Sequence, residues 1–251
     1  EKVMSDFIGG RNSVAEILRA GRSVNKLFVQ QGQREGSIRE IIALAQAKHI
    51  YVEEVTASKL AALLPEVKHQ GVIAAVAPVQ YYDMEAILAA AEAKGEAPFL
   101  LLLDELQDPQ NVGAILRTAN IAGVHGVLMT KRRSCPLTGA VAKVAAGAVE
   151  HTPVALIGNV AQTLESLKKR GLWVIGADMN GADNYFAANL TGPIVLVIGS
   201  EGQGLGRLVK EKCDVLVKIP MLGQLTSLNA SVACGILTFE IVRQRLLGGT
   251  K

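Results

Sequence analysis

Glu201 stands in the middle of a run, 199–206, that reads Gly-Ser-Glu-Gly-Gln-Gly-Leu-Gly. Four glycines in these eight residues free the backbone to turn sharply or to let a ligand come close. The five apolar residues before it, 194–198, read as a strand buried on both faces of a parallel sheet. Ligands collect at the carboxyl ends of such strands. The phosphate-binding forms of this arrangement fit poorly. Walker A needs Gly-Lys-Ser/Thr, and here Arg207 follows the last glycine. The spacing G-x-G-x-x-G is absent from the loop, and the charge of Glu201 would repel a pyrophosphate. A nucleoside without phosphates that carries a positive charge suits the loop better, and S-adenosylmethionine is one. A tight turn with an incidental carboxylate is the other reading of the same residues.

A second group of candidates follows another apolar strand, 99–103. Asp108-Pro109 reads as a helix N-cap with proline at the first helical position. The helix runs to about Ala122 and buries Val112, Ile115, Leu116 and Ala119. Arg117 is its only charge, one turn beyond Gly113 and one turn before Asn120, so its guanidinium has a bare surface to cross. Lys131, Arg132 and Arg133 end the next strand, where three cations suit phosphate contact or an exposed loop. Arg11, Arg19, Arg22, Lys26 and Arg34 concentrate basic charge early in the chain. Singly they read as a solvated face, together as a patch that contacts RNA.

The elements that must position these residues form two groups. Residues 1–79 alternate short helices (13–19, 38–47, 58–64) with strands (26–29, 50–55, 72–76), a small α/β layer structure closed by His69-Gln70-Gly71-Val72. Residues 80–95 read as a connector and an Ala-rich helix. From 96 to 251 strands at 99–103, 127–129, 172–177, 194–198 and 215–219 alternate with helices, which gives a parallel α/β sheet. Residues 183–186 read as a loop, and Ser227 as the start of a long final helix ending near Leu247. The chain has 251 residues, 49% of them hydrophobic, and a net charge of +3, which permits a nucleic-acid partner without demanding one. No run reads as a membrane span or signal segment, so no membrane partner is expected. Three scattered cysteines fit a reducing cytoplasm, and no Cys/His spacing suggests a metal.

Three stretches together resemble the SpoU/TrmH family of RNA ribose 2′-O-methyltransferases. They are NVGAILRTA (111–119), IGSEGQGL (198–205) and IPMLGQLTSLNASVA (219–233), and the resemblance covers about Phe99 to the end. The first 79 residues resemble the ribosomal-protein-like substrate-binding module of the longer members, among them enzymes that methylate a guanosine of 23S rRNA. The resemblance implies an α/β fold with a deep trefoil knot, a homodimer, and S-adenosylmethionine bound in the knot. It places the methyl donor against Gly199, Ile219 and Leu228, with Glu201, Gly202, Met221, Ser227 and Asn229 as the remaining wall. It makes Arg117 catalytic with Asn111 beside it, and carries Glu201, Ser227 and Asn229 into the same site. Arginine's pKa above about 12 suits orienting the ribose hydroxyl and neutralising a phosphate better than removing a proton.

Two rival readings remain. A non-catalytic ribosome-associated RNA-binding protein explains the first module but not Asn111, Arg117 and Glu201 all being retained at loop ends. A nucleotide-dependent oxidoreductase explains a Gly-rich turn but lacks its fingerprint. Within the methyltransferase reading, tRNA or another rRNA nucleotide is the alternative substrate.

Overall fold

The computed structural model describes residues 6–20, 24–33, 35–65, 68–76 and 80–248. The first elements are β1 (Asp6–Gly9), α1 (Arg11–Ala20), β2 (Val24–Gln30), α2 (Ser37–Ala47), β3 (Val52–Val55), α3 (Ala57–Leu63) and β4 (Val72–Val76). There follow α4 (Met84–Ala93), β5 (Phe99–Leu103), α5 (Pro109–Ile121), β6 (Gly126–Thr130), α6 (Gly139–Ala145), β7 (Val154–Ile157) and α7 (Val160–Lys169). The chain ends with β8 (Trp173–Ala177), β9 (Asp183–Asn184), β10 (Ile194–Ile198), α8 (Arg207–Lys212), β11 (Val215–Lys218) and α9 (Ala230–Gly248). Two compact units result. One takes residues up to 80 together with Pro136–His151; the other takes Tyr81–Cys135 and the chain from Thr152 on.

The first unit is a four-stranded sheet in the order β1-β4-β2-β3, with β4 antiparallel to β1 and β2, and β2 parallel to β3. Phe28, Val55, Leu60, Ile73 and Ala75 form a core cluster in it. Helices α1 and α2 pack on each other and bury Val14, Ile17, Leu18, Ile38, Ile41 and Ala45. Strand β1 has no counterpart among the expected elements, because four residues beside a glycine pair show no alternation to read. Helix α6 seats on it, and a Cβ at Gly139 would lie 2.0 Å from the Phe7 carbonyl oxygen, so only glycine permits the contact. The linear division into 1–79, 80–95 and 96–251 is therefore interrupted: residues 136–151 fold with the first unit.

The second unit is a seven-stranded sheet in the order β7-β6-β5-β10-β8-β11-β9 in which every pairing is parallel. All five residues of β5, β6 and β10 are buried, which is why β5 and β10 are unbroken apolar runs and β6 carries Val127, Leu128 and Met129 between Gly126 and Thr130. Strand β7 is an unexpected edge, and residues 183–184 are not loop but pair with β11. Because β11 lies on the far side of β8 from β10, the chain must recross β8 to bring α9 against α5 and β10. On its return α9 is fastened to the connection between β9 and β10. Gln244 Nε2 donates to the Ala188 carbonyl (3.0 Å), and Gln244 Oε1 accepts from Leu190 N (2.8 Å). The Arg245 guanidinium donates to the carbonyls of Ala97 and Pro98 (both 3.0 Å) and of Gly192, over the Phe99 ring. This is the crossing of a deep trefoil. Among the described residues no helix is long and apolar enough to cross a membrane.

Candidate active site

The carboxyl ends of β8, β10 and β11 face one cavity of about 550 Å³, closed by residues 226–230 and by Ala233 and Leu237 of α9. Gly199, the first residue after β10, shows why the loop needs glycine. A Cβ there would lie 2.2 Å from the Gly204 carbonyl carbon and 2.4 Å from its oxygen, so the loop backbone closes on itself. Gly204 N donates to the Ser200 carbonyl (2.9 Å), and Gly202 and Gly204 turn the chain through left-handed φ values of 83° and 66°.

The structure brings Gly199, Glu201, Gly202, Ile219, Met221, Ser227, Leu228 and Asn229 onto the wall of this cavity. Sequence reasoning did not find Ala177, Asp178 and Met179, which line it from the end of β8. Asp178 is almost wholly covered; it forms an ion pair with Lys210 and accepts from Asn180 N (2.8 Å). The signal that could have found it was its place at the end of a parallel strand, since no glycine marks the turn. Among the described residues the lining holds two carboxylates, Glu201 and Asp178, and no lysine, arginine or histidine.

Asn111 does not line the cavity but ties its wall together. It is a buried polar residue, 4% exposed, in the first turn of α5, whose start is fixed by Asp108 accepting from Gln110 N (3.0 Å). Asn111 Nδ2 donates to Glu201 Oε1 (2.7 Å), and Asn229 Nδ2 donates to Asn111 Oδ1 (2.8 Å). Asn229 Oδ1 in turn accepts from Ser231 N (2.9 Å), Ser231 Oγ (2.6 Å) and Val232 N (3.3 Å). Asn229 thus caps α9, which starts at Ala230 rather than at Ser227; Ser227 and Leu228 stay in the loop that walls the cavity. The polar chain gives each amide one orientation and links residues 90 and 118 positions apart.

Arg117 lies elsewhere. It is exposed on α5 and outside the cavity lining. Lys131 and Arg132 are exposed after β6, while Arg133 adopts a left-handed φ of 55° and pairs with Glu105 (3.3 Å). Of the early basic residues, Arg19 sits 3.9 Å from Glu16 and Lys26 2.8 Å from Glu53; Arg22 and Arg34 lie outside the described residues. Arg11 is held by neutral groups and is treated below. Burial pushes the thiols of Cys213 and Cys234 up to about 12 and raises that of Cys135, so none supplies a thiolate nucleophile near neutral pH. No cluster of three or more metal-ligating side chains occurs among the described residues.

A parallel α/β sheet whose last strands recross, with a cavity at its carboxyl ends, defines an α/β knot protein with a nucleoside-sized site. Comparison with known proteins makes the class specific. Residues 98–239 match the SpoU rRNA Methylase family and residues 7–82 the RNA 2'-O ribose methyltransferase substrate binding family. A putative TrmH family tRNA/rRNA methyltransferase, YacO, of Bacillus subtilis is 46% identical over 240 residues, 96% of each chain. The SpoU methyltransferase AviRb of Streptomyces viridochromogenes, solved in complex with AdoMet, superposes with a TM-score of 0.80 at 24% identity, covering 97% of this chain and 91% of its own. An RNA 2'-O ribose methyltransferase superposes with a TM-score of 0.79 at 25% identity, over 97% and 90% of the two chains. The chain belongs to the SpoU rRNA methylase family and is an RNA methyltransferase.

Proposed function

We propose that the protein transfers a methyl group from S-adenosylmethionine to a ribose 2′-hydroxyl of RNA, and that its target is a guanosine of 23S rRNA. The observation that carries the reading is the cavity at the three strand ends. Its backbone closes tightly at Gly199 and Gly204, and Glu201, held by the neutral Asn111 amide, gives its described lining a carboxylate that favours a positively charged nucleoside over a phosphorylated one, while Asp178 is neutralised by Lys210. When bound, that nucleoside supplies an electrophilic methyl on a sulfonium. The chain supplies the rest. Gly199, Ile219 and Leu228 hold the nucleoside, with Gly202, Met221 and Ser227 as its remaining wall. Asn111 and Asn229 hold Glu201, whose carboxylate keeps acceptor capacity for an incoming hydroxyl. Arg117 orients that hydroxyl and neutralises the adjacent phosphate from its exposed position on α5, aided by Lys131 and Arg132.

The rRNA named by the family that matches residues 98–239 supports rRNA in this reading, with residues 7–82 as the module that binds it, and a cytoplasmic location follows from an rRNA substrate. A homodimer is part of the same proposal. Ile121 of α5, Val232 and Phe239 of α9, and Leu222 and Leu225 of the third motif loop are exposed apolar groups that a second copy would cover. The buried Leu237 and Ile241 already serve the subunit's own core.

The test combines two measurements. Calorimetry on chelator-treated protein should give heat from S-adenosylmethionine and none from NAD. Mapping of 2′-O-methyl groups in total RNA from cells with and without the gene should lose one guanosine site in 23S rRNA. A lost site in tRNA would correct the substrate, and heat from NAD alone would reject the reading.

A further inference from the structure

In the first unit a second cavity, of about 410 Å³, opens between the start of α1, the end of α3 and the turn before β4. Its size lies within the roughly 300–1,000 Å³ of small-ligand sites. Leu64 gives it an apolar floor, Arg11 and Lys68 give it two cations, and among the described residues no carboxylate lines it.

The hydrogen bonds fix which way its polar groups face. Among the described residues Arg11 is anchored by neutral acceptors: Nε donates to the Gln70 carbonyl (3.1 Å), Nη1 to Ser37 Oγ (3.3 Å) and Nη2 to Gln33 Oε1 (3.5 Å). Gln70 Oε1 accepts from Arg11 N (3.1 Å). Both glutamines therefore spend their oxygens on Arg11 and turn their NH₂ groups, which can only donate, to other partners. His69 Nδ1 accepts from Gly71 N (3.1 Å), which puts the proton of the neutral ring on Nε2 and makes it a donor as well. The turn is held for this purpose. Gln70 adopts a left-handed φ of 53°, unusual for a residue with a side chain, and Gly71 follows at 83°. A Cβ at Gly71 would lie 2.0 Å from Gln33 Oε1, so glycine is what admits the glutamine.

We propose that this cavity holds one unpaired nucleotide of the RNA, its phosphate on Arg11 and Lys68 and an acceptor-only base edge on the Gln33 and Gln70 amides. The two cations of the described lining select the polyanion, the apolar floor takes a base face, and the amide donors select the base. Guanine offers two adjacent acceptors, O6 and N7, whereas adenine and cytosine put an amino donor on that edge. The proposal rests on the RNA methyltransferase reading and gives the first unit a specific role in choosing the substrate.

The experiment uses the full chain and fluorescently labelled cytidine hexamers with guanosine, 7-deazaguanosine or adenosine at the third position. Guanosine should bind tighter than adenosine by roughly tenfold, with 7-deazaguanosine between them. Gln70→Glu and, separately, Gln33→Glu replace a donor with an acceptor and should reverse the preference towards adenosine. A variant that merely loosened the turn would weaken all three equally. Arg11→Ala should weaken all three together and reduce the salt dependence. Equal affinity for guanosine and adenosine in the unaltered protein overturns the proposal, as does competition by hexaglutamate equal to that by RNA. Methyl transfer to 23S rRNA is measured alongside. Base preference without methylation would remove the methyltransferase reading and leave this site standing. Methylation with no base preference, and an unchanged KM in both glutamate variants, would do the opposite.

Discussion

Among their described linings, the cavity at the end of the seven-stranded sheet carries Glu201 and Asp178, the latter paired with Lys210 outside the lining, whereas the cavity of the first unit carries Arg11 and Lys68 and no carboxylate. Their construction differs in the same way. In the sheet cavity the walls are loop backbone at strand ends, brought so close at Gly199 that a methyl group will not fit, and the polar side chains are locked to one another. In the first unit the walls include long side chains, with the Gln33 and Gln70 side-chain oxygens both accepting from Arg11. On the proposed reading the first takes a small cationic nucleoside and the second an anionic strand. Recognition of the methyl donor and recognition of the RNA would then be separable, and substitutions should affect one without the other.

The largest expected separation comes from Gly199→Val. The Cβ alone would sit 2.2 Å from backbone, so the loop must open. S-adenosylmethionine affinity should fall by about 100-fold or more, since the wall is displaced rather than trimmed. Affinity for short RNA should be unchanged. Gly202→Ala, where nothing lies within 4 Å and only the positive φ opposes a side chain, should cost far less. Calorimetry with the cofactor and anisotropy with RNA measure the two sides, and a parallel loss of both would end the comparison.

Arg117→Ala should come next, removing nearly all methyl transfer, on the order of 10³-fold in kcat, with cofactor affinity nearly intact. The residue is exposed and outside the lining of the sheet cavity, which fits the proposed role on the RNA side of the reaction. Arg117→Lys should restore only part of the rate, because a point charge does not replace a planar fork. Loss of cofactor binding equal to the loss of rate would place Arg117 at the wrong site.

These predictions draw on unequal amounts of legible sequence. The unbroken apolar runs of β5 and β10 announced a parallel sheet because burial on both faces leaves no alternation, and the glycine spacing of 199–206 announced the tight loop. The knot was legible only through resemblance, because strand order depends on pairings between segments far apart in the chain. Asp178 was missed because an acid at the end of a strand is an ordinary surface residue until the cavity beside it is seen. The start of α9 was misplaced by three residues because Ser227 and Asn229 are both good caps; the bonds that Asn229 Oδ1 accepts from Ser231 and Val232 decide between them. The early basic patch also read more simply than it folds. Lys26 and Arg19 are occupied by neighbouring carboxylates, and Arg11 differs from them in having none among the described residues.

Asn111→Ala tests the locked side of the comparison at smaller amplitude. It leaves Glu201 and Asn229 without their shared partner and removes a buried amide, which costs about 1–3 kcal/mol of stability. Activity should fall roughly 10- to 100-fold, mostly in kcat, because Glu201 is positioned rather than replaced. Asn111→Asp should be worse than alanine, since it sets a second carboxylate against Glu201. A KM effect for RNA without a kcat effect would show that the polar chain serves binding instead.

The smallest effect concerns two carboxylates, one in each unit, whose titrations run in opposite directions. Hydrogen bonds from Lys26 and then Lys59 hold Glu53 at about 2, below its ordinary 4.5. A lowered folded-state pKa means that Glu53 contributes stability fully above pH 4.5, and that this contribution is lost as pH falls towards 2. Burial, with Glu105 adding a like charge, raises Asp104 above its ordinary 3.8. Its sign is reversed: the folded state favours the protonated form, so ionising Asp104 costs stability as pH rises from 3.8 through the higher folded value. Glu53→Gln should therefore lower the melting temperature slightly at pH 7, with the difference vanishing in acid. Asp104→Asn should raise it slightly at pH 7, and that difference should also vanish in acid. The Glu53 effect is the weaker of the two, because its lysine partners are exposed and screened by salt. Thermal melts from pH 7 to pH 2 on the two variants and their parent check the signs. Two melting curves that shift in the same direction at pH 7 would show that the local surroundings of these acids do not control their titration.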